Sequence, residues 1–264
     1  MAILITAIAV FLLQWIYIGY RFSFGPCKKL GHDRIDRLPG NAPRYHMNKV
    51  EPLKDSFLKD KKILFLGSSV TNGYASLVQS IPEYFEARFG CHCTKEAVNG
   101  TTLVDNDAKS YVQRLHNCVE PMTHYDLLIC QLSTNDASRK MPLGAVSGSR
   151  DLDDFDTRTI TGAMEHIICY AKNTWDCEVV FYTGTRYDSS AYEEMVNRVH
   201  VLSSKWGITV IDLWSNDDFN CLSQEKRKLY MNDPIHPTCA GYCHWWCPEI
   251  ERQLKDSFTH NTNR

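Results

Sequence analysis

The chain carries almost no net charge. Twenty-nine lysines and arginines face 31 aspartates and glutamates, a formal charge of −2 with histidine neutral. Proteins that grip nucleic acid through its phosphates present a positive face. No basic stripe with interleaved aromatics runs through the body of this sequence, so no nucleic-acid partner is expected. Internal repeats and low-complexity tracts are missing as well, which excludes solenoid arrays. The glycine-bearing stretch 67–73 lacks the lysine that a phosphate-cradling loop carries. No Lys or Arg stands ahead of the apolar run that opens the sequence, and no A-x-A follows it, as a cleaved signal peptide would require.

That apolar run, MAILITAIAVFLLQWIYIGY, has one strongly polar side chain, Gln14. Twenty residues at 1.5 Å each reach about 30 Å, the hydrocarbon thickness of a bilayer. Trp15, Tyr17 and Tyr20 gather at its end, where amphipathic rings favour the interface. The expectation is a single-pass transmembrane helix over residues 1–20. Arg21, Lys28, Lys29, Arg34 and Arg37 all follow it, so the positive-inside rule sends the remainder to the cytoplasm. An extracellular or secreted placement stays open, with Cys91, Cys93, Cys118, Cys177 and Cys221 near loops where they can pair. Eleven cysteines are present, and Cys130 and Cys169 lie inside apolar runs as small buried hydrophobes do.

Residues 21–60 are polar, basic and broken by Pro26, Pro39, Pro43 and Pro52, and read as a juxtamembrane linker able to pack on the domain surface. From residue 61 the pattern alternates. Strands are expected at 62–66, 94–98, 126–132, 178–182 and 208–213, and helices at 74–89, 106–118, 157–173, 190–205 and 238–254. Continuous apolar strands alternating with amphipathic helices imply a five-stranded parallel sheet covered on both faces, a three-layer α/β/α sandwich. The domain is expected over residues 61–257, with a polar tail at 258–264. Loops at the carboxyl ends of the strands then share one crevice, which is where open α/β sheets bind ligands.

Those loops hold the chemistry. The first reads Gly67-Ser68-Ser69-Val70-Thr71-Asn72-Gly73, placing Ser69 at a strand-to-helix bend. The second reads Asn99-Gly100-Thr101-Thr102 and the third Ser133-Thr134-Asn135-Asp136. Near the end stands Asp233-Pro234-Ile235-His236-Pro237, just before a helix. A serine nucleophile needs a base for its proton, and an imidazole needs an acceptor on its other nitrogen. Three-residue spacing around a proline-bounded turn lets Asp233 reach His236. Backbone N–H groups of Ser69 and Gly100, with the Asn135 amide, can face a developing oxyanion. Each residue also has a plain structural use. Asn135 or Asp136 can cap a helix, Asp233 can form a turn, and Gly100 can serve a tight bend. It is their joint occurrence at successive strand ends that favours a site.

In these four segments the sequence resembles the SGNH hydrolases, the GDSL-type esterase/lipase family, in the family's order and over about residues 61–250. The resemblance implies a flavodoxin-like fold and a serine ester hydrolase acting through an acyl-enzyme. Ser69 would be the nucleophile, His236 the base and Asp233 its partner. Ser69, Gly100 and Asn135 would form the oxyanion hole. No cofactor or metal is implied. Two positions depart from the family pattern: Ser68 replaces the usual Asp before the nucleophile, and Ser133 replaces a Gly in the third block. The adjacent Ser68 is a rival nucleophile. The substrate class it implies is a lipid, acetylated-sugar or simple acyl ester. An acyltransferase using the same triad and a non-catalytic carbohydrate- or lipid-binding module are the other classes, and the oligomeric state is not legible.

Other signals were weighed against these. Cys239, Cys243 and Cys247 form one helical stripe that packs more naturally beside Trp245 and Trp246 than around a metal. Asp151, Asp153, Asp154 and Asp156 read as a solvated loop. They belong to a long aperiodic segment, 138–156, expected to lie over the site as a lid or specificity wall.

Overall fold

The computed structural model describes residues 2–22 and 35–261. Helix α1, Ala2–Phe22, leads the chain. No helix among the described residues is long and apolar enough to cross a membrane. The transmembrane anchor expected at residues 1–20 is therefore not supported. Of the basic residues used to orient that anchor, Arg21, Lys28, Lys29 and Arg34 lie outside the described side chains.

Five parallel strands form one sheet: β1 Lys62–Gly67, β2 His92–Ala97, β3 Leu127–Gln131, β4 Glu178–Tyr182 and β5 Thr209–Ile211. Their order is β2-β1-β3-β4-β5. All four pairings are parallel, with Gly67 level with Ala97 and Leu66 level with Cys130. Because alternate side chains of a strand face opposite ways, β1 feeds both layers. Leu64 and Leu66 join one core with α4 (Tyr111–Asn117), α6 (Ile160–Trp175) and α7 (Ser190–Trp206). Ile63 and Phe65 join the other with α3 (Ile81–Phe89) and the C-terminal α11 (Cys247–Asn261). The expected three-layer α/β/α sandwich is what forms.

Short helices complete the set: α2 (Ser69–Asn72), α5 (Thr134–Ser138), α8 (Asp217–Asn220), α9 (Gln224–Tyr230) and α10 (Cys239–Gly241), which runs through a π-helical turn at Tyr242–Trp246 into α11. The helix expected over 74–89 is confined to α3. Gly73 ends α2 in the left-handed region, and Leu77 and Val78 also take positive φ. A new start follows, where Ser80 and Glu83 form a capping box.

Residues 39–50 make three short 3-10 turns. Met47 and Leu58 are buried in the core beside α3. Asn41 is 2% exposed and reaches three separate places. It donates to the carbonyl oxygens of Ile35 and Ala75, both at 2.9 Å, and accepts the Cys239 N–H at 2.9 Å. The cysteine stripe is fixed by packing. Cys239 and Cys247 are fully buried, and the Cys243 thiol faces the Tyr45 carbonyl oxygen at 3.1 Å. All ten described cysteines are free thiols.

The segment 138–156, expected as a lid or specificity wall, packs for much of its length against the domain. Met141, Leu143, Val146 and Leu152 pack on the core beneath α6 and α7. Its backbone is held by Arg198 at the Gly144 oxygen and by Lys205 at the Ser147 and Ser149 oxygens. Its start touches the strand ends: the Ser138 hydroxyl donates to the Asn135 oxygen at 3.1 Å and Arg139 donates to the Gly100 oxygen at 2.6 Å.

Candidate active site

Ser69 is the first residue of α2, directly beyond β1. The bend is tight because Gly67 has no room for a side chain: a Cβ there would stand 1.8 Å from Thr71 Oγ1. As the opening residue of a helix, Ser69 has no intrahelical acceptor for its N–H. Its hydroxyl lies 2.8 Å from His236 Nε2.

His236 comes from a loop that closes on itself. Met231 and Pro237 form an antiparallel bridge, and the Asn232 N–H donates to the His236 oxygen at 3.0 Å. Within it, Asp233 Oδ1 accepts the N–H groups of Ile235 and His236, each at 2.9 Å. His236 Nδ1 stands 2.9 and 2.8 Å from the two carboxylate oxygens. Burial pushes the Asp233 carboxyl up. The hydrogen bond and charge of His236, with the two N–H donors, outweigh it and hold the group at about 2. An ionised carboxylate accepting the Nδ1–H hydrogen bond keeps the proton on Nδ1 and leaves Nε2 free to accept one, which is the tautomer a base toward Ser69 requires. The Tyr74 ring packs on the imidazole with centroids 5.1 Å apart.

The second and third loops meet the first. Asn72 Nδ2 donates to Asn99 Oδ1 at 2.9 Å, and Asn135 Nδ2 donates to the Thr101 oxygen at 2.9 Å. An amide has two N–H bonds, so Asn135 keeps one for another acceptor. Gly100 sits at φ +78°, and a Cβ there would touch nothing within 4 Å. Glycine is needed for the backbone conformation, and the space beside it stays open. Asn135 N and Asp136 N both turn to Ser133 Oγ, at 3.2 and 3.4 Å, so in the third block it is Ser133 that caps the helix.

Ser68 points inward. It is fully buried and its hydroxyl accepts from Gln131 Nε2 at 3.0 Å. Of the two neighbouring serines, only Ser69 is brought to His236.

Three supporting residues were not singled out from the sequence. Gln131 Oε1 accepts from Ser68 N, Thr71 N and Thr71 Oγ1 at 3.0, 3.0 and 2.8 Å, fixing the bend that carries Ser69. Arg114 is 3% exposed and donates to Gly67 O, Thr101 Oγ1, Glu96 O, Glu96 Oε1 and Lys109 O. Asp136, weighed only as a helix cap, is buried and accepts the N–H groups of Leu103 and Val104 at 2.8 and 3.0 Å. Burial pushes its carboxyl up against those donors. The legible signals were a glutamine ending an apolar strand and an arginine between Tyr111 and Leu115 on an apolar helix face.

Residues 65–243 match the model of the GDSL-like lipase/acylhydrolase family. The chain belongs to that family. The match spans every residue of the constellation, from Ser69 to His236. Solved structures share its fold. A protein from Lactobacillus plantarum is 17% identical with a TM-score of 0.61, covering 76% of this chain and 98% of its own. A protein from Bacteroides ovatus put forward as a GDSL-like lipase is 17% identical at 0.55, covering 76% and 98%. A family two carbohydrate esterase from Clostridium thermocellum, in complex with cellohexaose, is 13% identical at 0.52, covering 77% and 67%. No curated protein matches this chain.

Proposed function

We propose that the protein is a serine esterase that cleaves carboxylic esters through an acyl-enzyme. Ser69 Oγ attacks the ester carbonyl carbon as His236 Nε2 takes its proton. Asp233 holds the imidazole in the required tautomer and stabilises the imidazolium that forms. The N–H groups of Ser69 and Gly100 and the free N–H of the Asn135 amide receive the oxyanion. His236 then returns its proton to the departing alcohol oxygen. A water, deprotonated by the same nitrogen, attacks the acyl-enzyme and releases the acid.

The observation that carries this reading is the unbroken chain of hydrogen bonds from Ser69 through His236 to Asp233. A fluorophosphonate probe followed by peptide mass mapping tests it. The label should fall on Ser69, and Ser69→Ala should abolish both labelling and turnover of a panel of simple esters. Labelling on Ser68, or turnover that survives Ser69→Ala, overturns the assignment.

A further inference from the structure

A small cavity of about 10 Å³ lies among the loops that carry the triad, lined by neighbours of the triad residues rather than by the triad itself. Val70, Thr134 and Ile235 line it, and each is the chain neighbour of a triad or oxyanion residue: Ser69, Asn135 and His236. Its remaining walls include Tyr182, Tyr187 and Tyr192. A volume of this size holds roughly one water-sized group. The group that must sit next to the carbonyl carbon of a Ser69-bound ester is the first carbon of the acyl chain.

The walls cannot swing aside freely. Tyr192 OH accepts the Gly184 N–H at 2.8 Å and donates to the Leu132 oxygen at 3.0 Å. Tyr182 OH is bonded to Thr71 Oγ1 at 2.6 Å. Both rings are buried, Tyr192 at 0% and Tyr182 at 1% exposure, so moving either would strand polar groups in the core. Tyr187 differs. It is only partly buried, and it also lines a second, open cleft of about 590 Å³ beside Arg186, Asp188 and Trp214. It is the residue common to the two linings.

Resting on the reading of Ser69 as nucleophile, we infer that this cavity is the acyl-binding site and that it accepts an acetyl methyl while excluding longer chains. Tyr187 is the specificity-determining residue. A methyl fills the space. A further methylene must displace a hydrogen-bonded ring or distort the attack geometry. In pockets of fixed shape one methylene changes the rate by roughly tenfold or more.

The experiment compares kcat/KM for p-nitrophenyl acetate, butyrate and octanoate on the wild type, Tyr187→Ala and Tyr187→Phe. Ile235→Ala serves as a second enlarging variant. The butyrate-to-acetate ratio is internal to each protein, so a loss of folded material cancels. The wild type should favour acetate over butyrate at least about tenfold, with octanoate lower still. Tyr187→Ala, which opens the small cavity into the large cleft, should raise the butyrate-to-acetate ratio at least about fivefold. Tyr187→Phe should keep the wild-type order. Equal turnover of acetate and octanoate by a wild type whose Ser69 takes a fluorophosphonate label overturns the acyl-site inference alone. So does an unchanged ratio in both enlarging variants. No turnover of any ester and no label on Ser69 overturns the nucleophile reading, and the acyl site falls with it.

Discussion

Arg114 Nη2 donates to the carbonyl oxygen of Gly67 at 2.8 Å, two residues ahead of Ser69. The same guanidinium holds Thr101, one residue beyond Gly100, and both the backbone and the carboxylate of Glu96 at the end of β2. One buried cation thus fixes the distance between the serine bend and the second loop. Arg114→Met should cost about 3–5 kcal/mol, because it leaves Glu96 and several buried acceptors without a donor. Urea unfolding measures that. In the folded fraction kcat should fall more than KM rises, and Arg114→Lys should recover part of kcat. A variant as stable and active as the wild type contradicts this account.

Asp233→Asn tests the orientation of His236. The amide can keep the loop's shape but cannot hold a charged imidazole, and it can turn the ring to the wrong tautomer. Turnover should drop on the order of 10³–10⁴-fold. Thermal stability should change little, since Asp233 is a partly exposed loop residue. Steady-state kinetics and a melting curve on one preparation separate the two effects.

Asn135→Ala removes one proposed oxyanion donor together with the bond to Thr101. A loss of roughly 10²–10³ in kcat with little change in KM is expected for a group that acts on the transition state. A change confined to KM would mark Asn135 as a binding residue instead.

His200 and Asp212 give a pH signature away from the site. Nε2 of His200 lies 2.8 Å from Asp212 Oδ2. That hydrogen bond raises the imidazole above its ordinary 6.5. Burial pushes Asp212 up, but His200 and the Ser215 N–H hold it at about 2. A raised histidine stabilises the fold fully below its unfolded value and stops doing so as pH climbs through its folded one. A depressed carboxylate stabilises above its unfolded value and loses that effect as pH falls through the folded one. The pair contributes most between roughly pH 4 and 6.5. The Tm gap between wild type and His200→Gln should therefore peak near about pH 5.5 and shrink by about pH 8.5. A gap that widened with rising pH would reverse the sign of the argument.

The sheet was legible because burial on both faces leaves little choice of residue. ILFL in β1 and VVFY in β4 are unbroken apolar runs, and both strands appear where the pattern put them. The ends were less legible. β5 is three residues long where six were expected, and the two positive φ angles at Leu77 and Val78 leave no periodicity to read. Ser69, Asp233 and His236 could be picked out by spacing and resemblance, and they do meet. Gln131, Arg114 and Asp136 were missed because each has backbone partners some 18 to 63 residues away, a distance no local pattern reports. The packing of segment 138–156 was not legible for a similar reason. Segment 138–156 is aperiodic, yet it carries enough spaced apolar residues to anchor on the core that α6 and α7 share.

Asn41 stands ahead of β1, outside the stretch that matches the family, and yet it clasps Ala75, just past the serine bend, to Cys239, just past His236. The two flanks of the crevice are joined by a brace supplied from a third part of the chain. A proteolytic cut between residues 51 and 60 would leave every member of the triad in one fragment while loosening the spacing between them. Integrity of that upstream stretch is thus a condition for alignment, and a preparation clipped there would count as intact by its sheet but not by its chemistry.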